Sequence, residues 1–500
     1  MQLEPLFQTV NATLPKTQIV DHIKCDAKTQ VVSETIKKIL NVNVFPTVQK
    51  TVVEDDKIKY TIKTCFYVCY VDVNDEIKKI EYVTDFSGEM VCEEQNAKAV
   101  LHLTAEKTET DLSGINLKLS ALICVKAVLP KQGEIKVVVG GENLVCNNTE
   151  KDIKKGFGIK EGAYAVEEQF SLPYAIQEVL YHNAQPVITA VQCGVGCIIA
   201  DGEVRLTAIL LQKGEKNDII KESKKFPFRV EMEYEDAMPS FTAISKVGLK
   251  SFKTDVEVDE DGGKSQVSLS AMLTFHSQAF SVETTTLTTD VFCLSHELQM
   301  EKSNLLICDV EEVRSCVCST SALFSCDENP TDVTLKAIAG ERVEVLNVCV
   351  TDNQLSFTGT FNATAYLING EQKTFTRKIE LPLEFTCECA VPNGCFLDAI
   401  CNCECINSAL TTSGIEMDLE TTLTVYPTKE KQFNCITEVK TVGEKQQKQC
   451  AISVYIPFEG EELWSLAKRL NVHPDTLSVT NPDLKFPLDG SERIVIYRQI

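Results

Sequence analysis

The sequence predicts a mainly β protein: three tandem β-rich units, each with one short helix, followed by a small α+β module of β-α-α-β order. Three observations carry this expectation: a period-two apolar pattern that recurs every 150 residues, a hairpin signal in each interval, and a compact helix-bearing stretch in the last fifty residues. Ile115, Leu117, Leu119, Ala121, Ile123 and Val125 alternate with polar or small residues, which is how a strand with one buried face reads. The pattern returns at Val267, Leu269, Ala271, Leu273 and Phe275, and again at Ile415, Met417, Leu419, Leu423 and Val425. Leu119, Leu269 and Leu419 hold one place in three consecutive units, and such repetition constrains the fold before any local feature does.

Each unit opens with a short amphipathic stretch: Thr35-Ile36-Lys37-Lys38-Ile39-Leu40, Ala175-Ile176-Gln177-Glu178-Val179-Leu180, and Val333-Thr334-Leu335-Lys336-Ala337-Ile338. Its apolar spacing reads as a helix of two or three turns. Pro46 and Pro186 follow at the same offset, where a helix end is expected; unit three departs, with Val345 nearby. Strand-like runs broken by a charged turn come next: Lys57 to Val71 then Asn74-Asp75-Glu76, Glu203 to Leu211 then Gly214-Glu215-Lys216, and Gln354 to Ile368 then Asn369-Gly370-Glu371. Asn-Gly between two β-rich runs is a strong hairpin signal. A returning strand follows in each, clearest from Arg377 to Glu388. These marks divide the chain at 1–150, 151–296, 297–450 (rich in Cys) and 451–500, and 150 residues suffice to bury a core.

Composition narrows the class. With 49 basic against 72 acidic residues, the chain repels nucleic acid and anionic polymers, and a partner with a basic surface suits it better. Residues 1–20 carry no basic-then-apolar leader, and no apolar run approaches the roughly 18 residues of a membrane span. The expectation is a protein that stays in the compartment where it is made. Catalytic signatures are absent: the six histidines form no H-E-x-x-H, there is no G-x-S-x-G or P-loop, and Gly194-Val195-Gly196 reads as a turn. No cofactor and no enzymatic activity are expected.

Of the 22 cysteines, 14 lie after residue 290, and six fall in one stretch: Cys387, Cys389, Cys395, Cys401, Cys403 and Cys405. In extended chain the members of each C-x-C share a face. Three readings stand: small apolar thiols on a sheet, thiols that later cross-link an assembly, or a metal cluster. Structural zinc usually takes C-x2-C pairs, so the spacing argues against the last, and no metal is expected.

Over the last fifty residues, Ile452-Ser453-Val454-Tyr455-Ile456 reads as a strand. Gly460-Glu461-Glu462-Leu463-Trp464-Ser465-Leu466-Ala467 opens a helix, Asn471-Val472-His473-Pro474 turns the chain, a second helix runs to Asn481-Pro482, and Ile494-Val495-Ile496 closes. This resembles the LysM module, whose pattern is Tyr-x-Val, Gly-Asp-Thr-Leu-Trp-x-Ile-Ala, Asn-Pro and a final strand. The resemblance implies a groove between two loops, which here are Gly460, Glu461, Glu462 and Leu463, and Asn481, Pro482, Asp483 and Leu484. It also implies binding of N-acetylglucosamine polymers, as in peptidoglycan. Glu461 and Glu462 replace the usual Asp-Thr, and two acids at a helix start also suit the helix dipole. Trp464, the single tryptophan, is expected in the core.

Leu172-Pro173 before the second amphipathic stretch, the return strand Phe226-Pro227-Phe228 and the closing Thr289-Asp290-Val291-Phe292 complete the pattern. Three such repeats and a terminal LysM resemble the SPOCS-domain spore coat assembly proteins of spore-forming Firmicutes. The resemblance implies a scaffold in the mother-cell cytoplasm at the forespore surface and spore coat, with LysM contacting the SpoIVA-like coat-basement ATPase. Self-association is left open.

Overall fold

The computed structural model describes residues 4–30, 36–92, 98–113, 116–214, 218–257, 264–352, 354–445 and 451–497. The chain is mainly β, with two short helices among these residues. Unit one contains β1 (Pro5–Gln30), β2 (Ile36–Glu54), β3 (Lys57–Asp72), β4 (Ile77–Val91), β5 (Val100–Ser113) and β6 (Asn116–Gly141). The antiparallel meander β2-β3-β4 faces a second sheet of order β1-β6-β5. Ile58, Ile62, Phe66 and Val68 of β3 pack there on Leu117, Leu119, Ala121, Ile123 and Val125 of β6. The period-two pattern is thus the inner face of a sandwich; its first member, Ile115, lies outside the described residues.

The same order recurs twice. Unit two has β7 (Leu144–Gly156), β8 (Lys160–Ser171), the meander β9 (Ile176–Cys193), β10 (Cys197–Gln212) and β11 (Ile219–Glu233), then β12 (Thr242–Glu257) and β13 (Gln266–Cys293). Unit three has β14 (His296–Val310), β15 (Arg314–Phe324), the meander β16 (Val333–Thr351), β17 (Gln354–Asn369) and β18 (Thr374–Glu388), then β19 (Phe396–Thr411) and β20 (Gly414–Glu444). The long strands β6, β13 and β20 are central in all three. Where β1 runs on through a register shift between Leu14 and Thr17, its counterpart is broken into β7 and β8, and into β14 and β15.

Two expectations are corrected. The amphipathic stretches are not helices: they open the edge strands β2, β9 and β16. Register shifts against β3 between Ile36 and Lys38 and between Ile39 and Asn41 recur against β10 around Gln177 and Leu180, and one falls between Leu335 and Ala337. Each such bulge inserts a residue, so the apolar side chains fall at helix-like spacing while the backbone stays extended. Pro46 and Pro186 sit inside these edge strands, where a missing N–H leaves no central ladder unpaired. Thr35, Glu215 and Lys216 lie outside the described residues. The divisions expected at 150 and 296 also move, because β7 pairs with β13 and β14 with β20; the links between units are residues 142–143 and 294–295.

The three sandwiches share cores. Leu40, Cys69, Val71 and Ile77 of unit one meet Leu180, Tyr181, Ile209, Leu211 and Ile219 of unit two and Ala337, Ala339 and Tyr366 of unit three. A second shared core joins Val10, Ala12 and Val137, Ile153 and Leu287, and Leu305, Ile307 and Cys435. Polar ties follow: Lys221 Nζ donates to Glu341 (2.5 Å) and to the Cys405 carbonyl (2.7 Å), and Thr376 Oγ1 donates to the Leu40 carbonyl (2.7 Å).

Residues 451–497 form β21 (Ile452–Tyr455), α1 (Leu463–Leu470), α2 (Pro474–Thr480) and β22 (Ile494–Tyr497), with β21 and β22 antiparallel. The expected β-α-α-β order is present. Its core of Leu466, Ala467, Leu470, Leu477, Leu488, Ile494 and Ile496 continues into Val145 and Phe292 of unit two.

Candidate functional site

The two loops expected to form the terminal groove are each held to the body of the module. The Gly460 N–H donates to the Leu488 carbonyl (2.7 Å) and the Leu488 N–H returns to Glu461 (3.1 Å), so the first loop is laced to the segment after α2. Gly460 sits at φ 78°, a left-handed turn that favours glycine. Leu463 and Leu484 pack into one apolar cluster with Leu488. Asn481 is a structural pin: its Nδ2 donates to the carbonyls of Leu477 (3.0 Å) and Val495 (2.9 Å), and its Oδ1 accepts from the Val495 N–H (2.8 Å). Gly460, Glu462, Pro482 and Asp483 are exposed.

Glu461 behaves differently from its neighbour. It is 8 % exposed, and both carboxylate oxygens accept from the Arg469 guanidinium, Oε1 from Nε (2.8 Å) and Oε2 from Nη2 (2.7 Å). The Phe458 N–H also donates to Oε2 (3.0 Å). The Arg469 guanidinium holds this carboxyl below the usual glutamate range, against the opposing effect of burial. Glu461 is therefore a brace inside the module, and Glu462 and Asp483 are the free carboxylates of the two loops.

Trp464 is not simply core. Its indole Nε1 donates to Asp290 Oδ2 (2.8 Å), and its ring meets Phe292 edge-on at 5.3 Å. Lys468 Nζ lies 2.7 Å from the same carboxylate. Burial would raise the Asp290 carboxyl, but Lys468 and the indole N–H together hold it below the usual aspartate range. Asn471 Nδ2 donates to the Leu294 carbonyl (2.6 Å), and Lys445 Nζ donates to Asn471 Oδ1 (2.8 Å). The module is clamped on unit two, with β21 presenting Ile452 and Val454, and β22 presenting Tyr497, all more than half exposed.

A second gathering of polar groups was missed in the sequence. His102, Lys246 and Asp398 pair across their ladders with Lys126, His276 and Tyr426, equivalent places in the three units. All six lie near one another: Lys246 hydrogen-bonds Asp398, Lys126 Nζ is 3.6 Å from it, and Lys246 stacks over the Tyr426 ring. Burial opposes ionisation of Asp398, but the three lysines Lys246, Lys126 and Lys16 hold its carboxyl well below the usual range. The 150-residue offset of Lys126, His276 and Tyr426 was the signal available.

Of the six clustered cysteines, Cys403 and Cys405 are buried on β19 within the core of unit three, as small apolar side chains. Cys387 instead meets Cys316 and Cys318 of β15, with all three sulfurs within 4.8 Å of one another. His22, Glu106 and Cys124 form the other such group among the described residues.

The class defined by these features is a three-unit β protein with a terminal βααβ module docked on its second unit. The chain matches no family model, and no curated protein or solved structure matches it.

Proposed function

We propose that the chain is a non-enzymatic scaffold of spore coat assembly, made of SPOCS-like units and acting in the mother-cell cytoplasm at the forespore surface. Its terminal LysM module docks onto the SpoIVA-like basement ATPase rather than onto peptidoglycan. The observation that carries this reading is the surface the module presents while held on unit two: apolar Ile452, Val454 and Tyr497, with Glu462 and Asp483 exposed in the loops. A neutral sugar polymer gains nothing from carboxylates that must shed water, whereas a basic, partly apolar protein surface gains charge-assisted hydrogen bonds and faster encounter.

A pull-down of the full chain against the basement ATPase and against peptidoglycan tests it. Binding to the ATPase that weakens with salt and with E462K/D483K supports the proposal. Strong retention on peptidoglycan with no ATPase binding overturns it in favour of a glycan-binding envelope protein. In sporulating cells a fluorescent fusion should ring the forespore.

A further inference from the structure

The seam between the first strand of each unit and the last strand of its meander joins the edges of two sheets, and among the described residues no ladder crosses it. Strand register aligns the three seams. Opposite the equivalent residues Ile123, Leu273 and Leu423 stand Ile23, Tyr164 and Cys316. Opposite Ile58, Ile198 and Leu355 of the meanders stand Met90, Met232 and Cys387. At these places unit one has isoleucine and methionine, both in its core, unit two has an exposed tyrosine and a buried methionine that lies over Gly162, and unit three has two cysteines. The thiols supply far less apolar volume than the side chains they replace, so packing alone holds this seam less firmly.

What unit three has instead is reach. Cys316 Sγ lies 2.6 Å from Cys387 Sγ, and Cys318, two residues along β15 and on the same face, brings a third sulfur within 4.8 Å of both. Two thiolates sharing a tetrahedral zinc would stand about 3.8 Å apart, given zinc–sulfur bonds of about 2.3 Å. The closer approach suits a covalent sulfur–sulfur bond better.

We propose that Cys316, Cys318 and Cys387 form a thiol–disulfide site, in which a Cys316–Cys387 disulfide clamps the two sheets of unit three and Cys318 can exchange into it, keeping the clamp while freeing Cys316. The oxidant is a small-molecule disulfide, RSSR. The Cys316 thiolate attacks one sulfur of RSSR, forming a mixed disulfide and expelling RS⁻, which takes up the proton Cys316 gave up. The Cys387 thiolate then attacks the Cys316 sulfur, closing the internal bond and expelling the second RS⁻, which takes the proton from Cys387. Two protein thiols lose two electrons and two protons, and RSSR becomes two RSH. Attack of Cys318 on the Cys387 sulfur moves the bond to Cys318–Cys387 and frees Cys316, with no net redox change. Burial pushes the Cys318 thiol up to about 11 and Cys387 up to about 12, so thiolate is scarce at neutral pH and closure accelerates as pH rises from 7 to 9.

The test uses the full chain, reduced, freed of reductant and incubated with oxidised glutathione. Remaining thiols are alkylated in denaturant and the digest mapped by mass. The expected result is one internal link, joining Cys387 to Cys316 or Cys318, with two of the 22 thiols lost and a thermal midpoint raised over the reduced chain. C387M, which installs the residue of the other two seams, should lose the link while melting, reduced, no lower than the reduced parent. Glutathione adducts without an internal link, or a link elsewhere, overturn the proposal. So does one metal ion per reduced chain that C387M fails to bind.

Discussion

Two glutamates adjacent in sequence separate at the scale of the residue. Both read as acids at the exposed start of a helix, but Glu461, which precedes the N-cap, folds inward onto Arg469 in the last turn of α1, eight residues on. Glu461 is buried but Arg469 reaches water, so losing the pair costs about 1–3 kcal/mol, mostly from unsatisfied groups around position 461, still a large share of what so small a module has. E461K should therefore unfold the module, seen as exposure of the Trp464 fluorophore, whereas E462K should leave its emission unchanged. His182 makes a second case. It is 5 % exposed, packs edge-on to Tyr67 and against Phe252, and neither ring nitrogen has a hydrogen-bond partner. Burial, with Lys79 adding to it, lowers its pKa from 6.5 to about 3. Because the folded value is depressed, the unfolded chain binds the proton first: the contribution is whole above pH 6.5 and is lost as pH falls toward 3. The slope is about 1.4 kcal/mol per pH unit in that window. H182F should shrink the fall in urea midpoint between pH 7 and pH 4.5, and equal falls in both proteins would refute the assignment.

At the scale of the element, the difference between sequence and structure is one of period. The late strands were legible because an unbroken ladder keeps strict alternation, and every described residue of the pattern from Leu117 to Val125 is buried. The starts of β2 and β9 were not, because two bulges within five residues turn an alternating pattern into Ile36, Ile39, Leu40 and Ile176, Val179, Leu180, the spacing of one helical face. No local rule separates the two; the partner strand does. The terminal helices were legible because caps and loops accompany the apolar period, with Asn471 at φ 55° closing α1 and Pro474 opening α2. What α1 docks against was not, since Asp290 lies 174 residues before Trp464. D290A should release that face: the emission of the single tryptophan shifts to the red and protease cuts residues 445–451 faster, for a loss of about 1–3 kcal/mol in docking. Unchanged emission and cleavage would show that the clamp carries no weight.

At the scale of the molecule, the repeats predict three like bodies but not how far each depends on the others. A sandwich that buried all its apolar surface internally would survive excision. Here Leu180, Tyr181, Ile209, Leu211 and Ile219 of unit two are covered by residues of units one and three, and Ile153 and Leu287 lie in the second shared core. Cutting the chain at its links would uncover all seven at once. Each large apolar side chain exposed forfeits up to about 1.5–3 kcal/mol, which together is comparable with the whole stability of an ordinary single domain. The links themselves are too short to serve as hinges, and residues 150–162 and 296–312, which flank the expected divisions, lie largely in paired strands. Limited proteolysis of the full chain should therefore leave the three units joined, with no early cut at residues 150–162 or 296–312. Residues 144–293 expressed alone should associate with one another or unfold at a lower urea concentration than the parent. A monomeric fragment with the parent's urea midpoint, established by sedimentation and circular dichroism, would show instead that the shared cores add nothing that each sandwich lacks by itself.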